Sequence, residues 1–465
     1  MSAPALPRWY RNRRYELRTS LWLVPSLIIG AFVVLALGAL AVDDHLLDHG
    51  RFPVLLDPGS ATDVRNLMVA IAGASITVVA LVASLTLVTL TVASTQFGPR
   101  LIRSFLATRA PKVTIGLYVG TFVYSLIVLL AVHDTDGVTF VPRLAADLAV
   151  LAAIVDAIAL VAYLHATAVS IQPATVVNRI ANQLDEALDE LAAMGVLVGE
   201  TDPAEIEALM ARIVEEGEVV VAAGSGYVKR VEHADLVAAA AEAGAAVHLV
   251  VRPGQFVLAG SPLARVLPGP DGRRPDAATI NAELTVGAQR TVEQDLRFAV
   301  DQLVEIALRA LSPAVNDTFT ALTCINWLAG ALLRLSEDPL PERAHRDAGG
   351  TIRVVDRYLS FADVTDSAFD KIRQAGSDNP AVLIRLLESV TLLAPQMRTR
   401  EQHDALGAQA DMVWEAAERE IPIAGDLADV RRRYDEARAA LALPPVRGRR
   451  RHRRARAEST GSSTT

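Results

Sequence analysis

Cysteine is nearly absent: Cys324 is the single one in 465 residues. No disulfide framework and no cysteine-rich metal site can form within one chain, which fits a reducing cytoplasm for the soluble part. Catalytic signatures are missing too. The chain has no Gly-x-x-x-x-Gly-Lys phosphate loop, no Gly-x-Ser-x-Gly elbow and no His-Glu-x-x-His zinc motif. Gly224-Ser225-Gly226 lacks the third glycine of a dinucleotide loop, and the nine histidines are scattered. These absences leave no enzyme class, cofactor or metal indicated. Long apolar runs are lacking after about residue 170, although 51% of the chain is hydrophobic and its mean hydropathy is +0.30. The apolar residues are therefore concentrated at the front.

Four segments there approach the roughly 20 apolar residues needed to cross a bilayer core. They are Leu21–Val42, Leu67–Val92, Val113–Val132 and Leu144–Ser170. In lipid each must be helical, because a lone strand would leave its backbone polar groups unpaired. Flanking charge alternates. Arg8, Arg11, Arg13, Arg14 and Arg18 precede the first segment, and Arg100, Arg103, Arg109 and Lys112 lie between the second and third. Asp43, Asp44, Asp48, Asp57 and Asp63 separate the first two, and Asp134 and Asp136 the last two. The positive-inside rule then predicts both termini on the cytoplasmic side of a bacterial plasma membrane. A cleavable signal peptide is the rival reading of the first segment, with Ala39-Leu40-Ala41 as its site. The apolar run is too long for that.

The expected fold class is a mostly α membrane protein with a cytoplasmic α+β part. A basic N-terminus (1–20) precedes a four-helix transmembrane region (21–170) and connecting helices (171–217). A small β-rich module (218–290) follows, with short apolar runs broken by Gly224-Ser225, Arg252-Pro253-Gly254-Gln255 and Gly260-Ser261-Pro262. A helical domain (291–442) comes next. Its helices are expected at Val292–Leu311, Thr318–Leu335, Ala348–Phe361, Ala381–Ala394, Glu401–Glu420 and Leu427–Leu441, with Asn316-Asp317 and Asn379-Pro380 as start signals. The tail (443–465) carries seven arginines from Arg447 to Arg456 and is expected to be disordered.

Three stretches carry a family resemblance: Ser94-Thr95-Gln96-Phe97-Gly98-Pro99-Arg100 with Gly120-Thr121-Phe122-Val123-Tyr124, Arg252-Pro253-Gly254-Gln255-Phe256-Val257, and Arg309-Ala310-Leu311-Ser312-Pro313-Ala314-Val315-Asn316-Asp317. In these the chain resembles bacterial membrane proteins grouped as domain of unknown function 2254. The resemblance covers most of the chain, implies the architecture above and brings no known activity. The β-rich module is also similar to the biotinyl/lipoyl hammerhead pattern through Gly254, Val257, Gly260 and Pro262-Leu263. The nearby lysine, Lys229, does not lie in an acceptor hairpin, so the module is read as structural, without an attached group.

Asp156 is the most informative residue. It lies near the centre of the fourth segment, where a carboxylate costs about 2.5–3.5 kcal/mol on insertion scales. It is read either as a proton or cation site or as a protonated acid bonded to Tyr124 or a threonine. On the second segment Asn66, Ala70, Gly73, Thr77, Ala80, Ser84, Thr91 and Thr95 share one helical side. Asn66, Thr77, Ser84 and Thr91 suit a pore wall, and the same composition suits helix packing. Gly116-x-x-x-Gly120 is a further packing signal. Gly98-Pro99 should end the second helix, which puts Arg100 and Arg103 at the headgroups as lipid-interface anchors. In the soluble part Arg290, Glu293, Arg309, Asn316 and Asp317 form a candidate contact site, with intrahelical ion pairs and a capping turn as the plain reading.

Two functions from different classes follow. One is an oligomeric ion channel or transporter whose cytoplasmic domain assembles or gates it. The other is a membrane-anchored scaffold or sensor with no transport. The expected partners are the lipid bilayer, further copies of the chain and anionic headgroups at the basic termini. No nucleic acid is expected.

Overall fold

The computed structural model describes residues 22–46, 60–98, 108–135, 138–195, 202–291, 294–337, 344–357 and 359–443. Arg100, Arg103, Glu293, the basic N-terminus and the arginine tail lie outside them. The chain divides into two compact units, one up to Val176 and one from Val177.

The first unit contains helices α1 (Leu23–Leu46), α2 (Ala61–Phe97), α3 (Arg109–Ala131) and α4 (Arg143–Ser170), with a short hairpin β1 (His133–Thr135) and β2 (Val138–Phe140) before α4. Each helix is long and apolar enough to cross a membrane, as is one helix of the second unit, Thr318–Glu337. Ser60 and Asp63 form a reciprocal capping box at the start of α2. At its other end Gly98 takes φ 109° and its amide bonds back to Ser94, which ends the helix where the Gly-Pro pair predicts.

Gly116 and Gly120 of α3 form a seam against α1. A methyl group built on Gly116 would lie 2.9 Å from Ile28 and 3.0 Å from the backbone of Pro25. On Gly120 it would lie 2.7 Å from the ring of Phe32. Only a bare backbone permits this approach, and close approach is what drives helix association in lipid. Ala36, Val64, Met68, Ile71, Tyr124, Val128 and Ala149 fill the common interior.

Asp43 does not lie in an acidic loop. It is part of α1, is buried, and accepts hydrogen bonds from the amides of Leu144 and Ala145 at 3.0 and 2.9 Å. Pro142 at the start of α4 offers no side-chain cap, so the cap comes from another helix. Tyr163 ties α4 to α2 through Thr86 (2.8 Å) and the carbonyl of Val82 (3.1 Å).

The second unit continues from α5 (Pro173–Gly195), whose first residues belong to the first unit, to α6 (Pro203–Glu216). Its strands are β3 (Glu218–Val221), β4 (Gly226–Val231), β5 (Ala246–Leu249), β6 (Phe256–Val257), β7 (Pro262–Leu267) and β8 (Leu284–Gly287), with helices α7 (His233–Glu242) and α8 (Ala277–Ala282) between them. Lys229 lies inside β4 and not at a hairpin tip. Two later strands, β9 (Ala344–Arg346) and β10 (Ile352–Val355), complete a five-stranded sheet in the order β3-β7-β5-β10-β9. The other three strands form a second sheet, β6-β4-β8. Val228, Val231, Leu236, Leu249, Leu263 and Val354 form the core of this region.

The helical remainder comprises α9 (Leu296–Ala310), α10 (Thr318–Glu337), α11 (Phe361–Ala375), α12 (Pro380–Leu393), α13 (Arg400–Glu420) and α14 (Ala424–Leu441). α10 buries Ala321, Cys324, Ile325, Leu328, Leu332 and Leu335, a stripe at helical spacing. The helix expected over Ala348–Phe361 is not formed. Ile352–Val355 is a strand, parallel to β5 and antiparallel to β9, and the helix begins only at Phe361 behind a Ser360–Asp363 capping box. The apolar spacing of Ile352, Val354 and Val355 fits either structure. The turn at Asp347–Thr351, with Gly350 at φ +81°, and the β-branched side chains decide for the strand.

Candidate functional site

The inner face of α4 buries Ala149, Asp156 and Tyr163, spaced by seven residues and so on one side of the helix. Asp156 is 2% exposed. Facing it, α3 buries Thr114, Tyr118, Thr121 and Ser125, again a single helical side. Thr121 and Tyr118 are the polar neighbours of Asp156. Asp156 makes no well-formed hydrogen bond among the described residues, although the Thr121 hydroxyl lies beside it as a donor, and the hydroxyl of Ser125 has no partner. Tyr124 is not the partner that the sequence suggested, since its hydroxyl donates to the carbonyl of Ala145 at 2.9 Å. A carboxyl so enclosed is costly in an apolar surrounding unless a partner meets its charge. α3 therefore supplies a line of inward hydroxyls that sequence reading overlooked. The sign was available in the spacing of Thr114, Tyr118, Thr121 and Ser125.

The predicted stripe on α2 is placed differently. Asn66, Thr77, Ser84 and Thr91 are all exposed. Thr77 donates to the carbonyl of Gly73 at 2.8 Å and Thr91 to that of Leu87 at 3.0 Å. A methyl group on Gly73 would meet nothing within 4 Å. Among the described residues no helix covers this face, and these two hydroxyls are satisfied by their own helix.

In the second unit the candidate contact residues do not form one site. Arg290 bonds Asp295 twice, at 2.7 and 3.0 Å, and Asp301 at 2.9 Å, with its guanidinium over the ring of Phe298. Asp295 also caps α9 through the amide of Phe298. Burial pushes its carboxyl above the usual carboxylate range, against the lowering effect of Arg290. Arg309 and Asp317 lie at the opposite end of α9, which has 15 residues and so runs about 22 Å. Arg309 makes a 4.0 Å pair with Glu305, Asn316 adopts a left-handed φ of 49°, and Asp317 caps α10 through the amide of Thr320. These are the ion-pair and capping roles of the plain reading.

The fold also gathers a cluster that spacing in the sequence does not announce. His233 opens α7, His345 lies in β9 and Asp356 follows β10. Both histidines turn Nε2 toward Oδ2 of Asp356, His233 at 2.8 Å and His345 at 3.0 Å. Their rings stack with centroids 4.2 Å apart. Burial would raise the Asp356 carboxyl, but the two histidines hold it down at about 2.

Comparison with known proteins agrees with the apolar front of the chain. The family described as "Predicted membrane protein (DUF2254)" matches residues 18–391. Uncharacterized proteins of Mycobacterium bovis and Mycobacterium tuberculosis are 30% identical over 421 residues, which is 89% of this chain and 79% of each relative. No solved structure matches.

Proposed function

The chain belongs to the membrane protein family of domain of unknown function 2254, and from that premise we propose that it is an ion- or proton-conducting protein of a bacterial plasma membrane with Asp156 in the path. α1 to α4 span the bilayer. α10 does not, because its apolar stripe packs among the helices of its own unit. In this reading the termini and the whole second unit are cytoplasmic, which the basic segments around Arg8–Arg18 and Arg100–Lys112 support. The second unit, with its β-rich module, assembles or gates the membrane part.

The observation that carries this reading is the buried carboxyl of Asp156, without a well-formed hydrogen bond, beside the hydroxyl line of α3. A side chain kept only for packing would be apolar there, since each unmet polar group in hydrocarbon is costly. Hydroxyls one turn apart along α3 offer a proton or a partly dehydrated cation successive oxygen ligands.

The exposed face of α2 then serves contact between copies. Gly73, Ala70, Ala80 and Ser84 leave a shallow surface that a second α2 fits, and Asn66, Thr77 and Thr91 line it. The self-bonded hydroxyls of Thr77 and Thr91 also favour a second reading, a membrane-anchored scaffold that only packs and anchors.

Flux through purified protein in liposomes separates the two. The wild type should pass protons, sodium or potassium down an imposed gradient, and Asp156→Asn should reduce that flux at least tenfold. Ser84→Leu should alter it through assembly. No flux under any of the three gradients, or equal flux in Asp156→Asn, would overturn the conducting reading in favour of the scaffold.

A further inference from the structure

We propose that His233, His345 and Asp356 bind one divalent transition-metal ion of the zinc class, which clips the β9–β10 strands to the start of α7. The three donors come from segments far apart in sequence, and their ligand atoms lie within 4.8 Å of one another. Metal–ligand bonds of about 2.0–2.2 Å place tetrahedral ligand atoms about 3.3 Å apart. The observed separations of 2.8 and 3.0 Å to Asp356 need to open by only a few tenths of an ångström.

The arrangement favours a cation over a plain hydrogen-bonded trio. Both imidazoles aim the same nitrogen at the same carboxylate oxygen, and their stacked rings, 27° from parallel, set the two nitrogens side by side. With each ring's proton on Nδ1, both Nε2 lone pairs are open to an ion, which small rotations of the three side chains would let them share with the carboxylate oxygen. Two imidazoles and one carboxylate suit zinc, cobalt or nickel, and fit magnesium or calcium poorly. The side chains are 22%, 23% and 28% exposed, which leaves an entry path and room for a water as fourth ligand.

The consequence is mechanical. β10 is the strand that joins the later helical half to the sheet through its parallel pairing with β5. β9 is held further by Arg346, which pairs with Glu205 of α6 at 2.5 Å. An ion on His233 and His345 would fasten α7 to both strands and make the stability of this sheet depend on metal.

The test uses the full chain in detergent, without a histidine tag and stripped by a chelator. Cobalt should bind at one ion per chain with the visible absorption of a tetrahedral nitrogen–oxygen site. Zinc should displace it and raise the thermal midpoint with the logarithm of its free concentration. His345→Gln should lose the absorption and the thermal shift while its metal-free midpoint stays near that of the wild type. X-ray absorption of the wild-type zinc form should show two imidazoles, and this decides the matter if the variant does not fold. No cobalt absorption in the wild type, unchanged binding in a folded His345→Gln, or a zinc shell with fewer than two imidazoles would overturn the proposal.

Discussion

The carboxylate of Asp43, on α1, accepts the amide of Ala145 at the start of α4 at 2.9 Å. One side chain thus caps a helix 102 residues away in sequence, with the amide of Leu144 on its second oxygen at 3.0 Å. An apolar bilayer offers no substitute for such a cap. Asp43→Ala should destabilise the bundle by about 1–2 kcal/mol, the usual cost of losing a cap. Hydrogen exchange of the amides of residues 144 and 145 should accelerate. Unchanged exchange there would show that another group supplies the cap.

The glycines of α2 and α3 should respond in opposite ways. Gly120→Leu drives a side chain into Phe32 and should cost about 1–3 kcal/mol in unfolding experiments, since α1 must move aside. A methyl group on Gly73 meets nothing within 4 Å among the described residues, so Gly73→Leu points into open space there. It should leave the stability of a single chain unchanged and weaken association between copies, read by mass measurement in mild detergent. Equal effects of both changes would contradict the exposed face of α2 as the surface where copies meet.

Gly254 is required where it stands. Its φ is +84°, and a methyl group there would lie 1.9 Å from Oδ2 of Asp295. Gly254→Ala should therefore displace Asp295 from Arg290. Arg290→Met removes the cation outright and leaves a buried carboxyl, at a cost of about 3–5 kcal/mol for breaking such a pair. The pH dependence follows from the sign of the shift. The folded Asp295 carboxyl lies above its unfolded value, so its contribution is present below about pH 4 and lost as pH rises through the folded value. In Arg290→Met that loss should be steeper, because the counter-effect of the cation is gone. A variant with the same pH profile as the wild type would show that Arg290 does not govern this carboxyl.

Much of this is legible in the sequence itself. Segment lengths pointed to long apolar helices at the front of the chain, where several of the helices long and apolar enough to cross a membrane lie. Gly98, Asn379-Pro380 and Asp317 marked helix ends at the residues where the ends fall. What could not be read was tertiary. Ile352–Val355 has an apolar spacing compatible with helix and becomes a strand because β5 and β9 receive it. Asp43 reads as loop charge until α4 is seen beside it. His233, His345 and Asp356 have no spacing in common, since an ion-sized cluster needs only convergence in space. Asn66, Thr77, Ser84 and Thr91 on α2 are all exposed, and sequence periodicity cannot say whether a side faces inward. The inward polar side belongs to α3.

Asp156 should be retained at the expense of stability. Its oxygens make no well-formed hydrogen bond among the described residues, and leaving a buried polar group unmet costs about 1–3 kcal/mol, more where charge is involved. Asp156→Leu replaces it with a side chain of similar size that suits the apolar faces of α3 and α4. The variant should unfold later than the wild type, by about 1–3 kcal/mol in a detergent titration, while losing flux. A carboxyl kept for structure behaves the other way, because its removal breaks bonds that hold the bundle. Ser125→Ala should be close to neutral in stability, as its hydroxyl makes no hydrogen bond to lose. If Asp156→Leu unfolds earlier than the wild type, the carboxyl is a structural group and the conducting path must be sought elsewhere. If it unfolds later and flux disappears, the instability of the wild type at this position is the signature of a site held ready for a mobile charge.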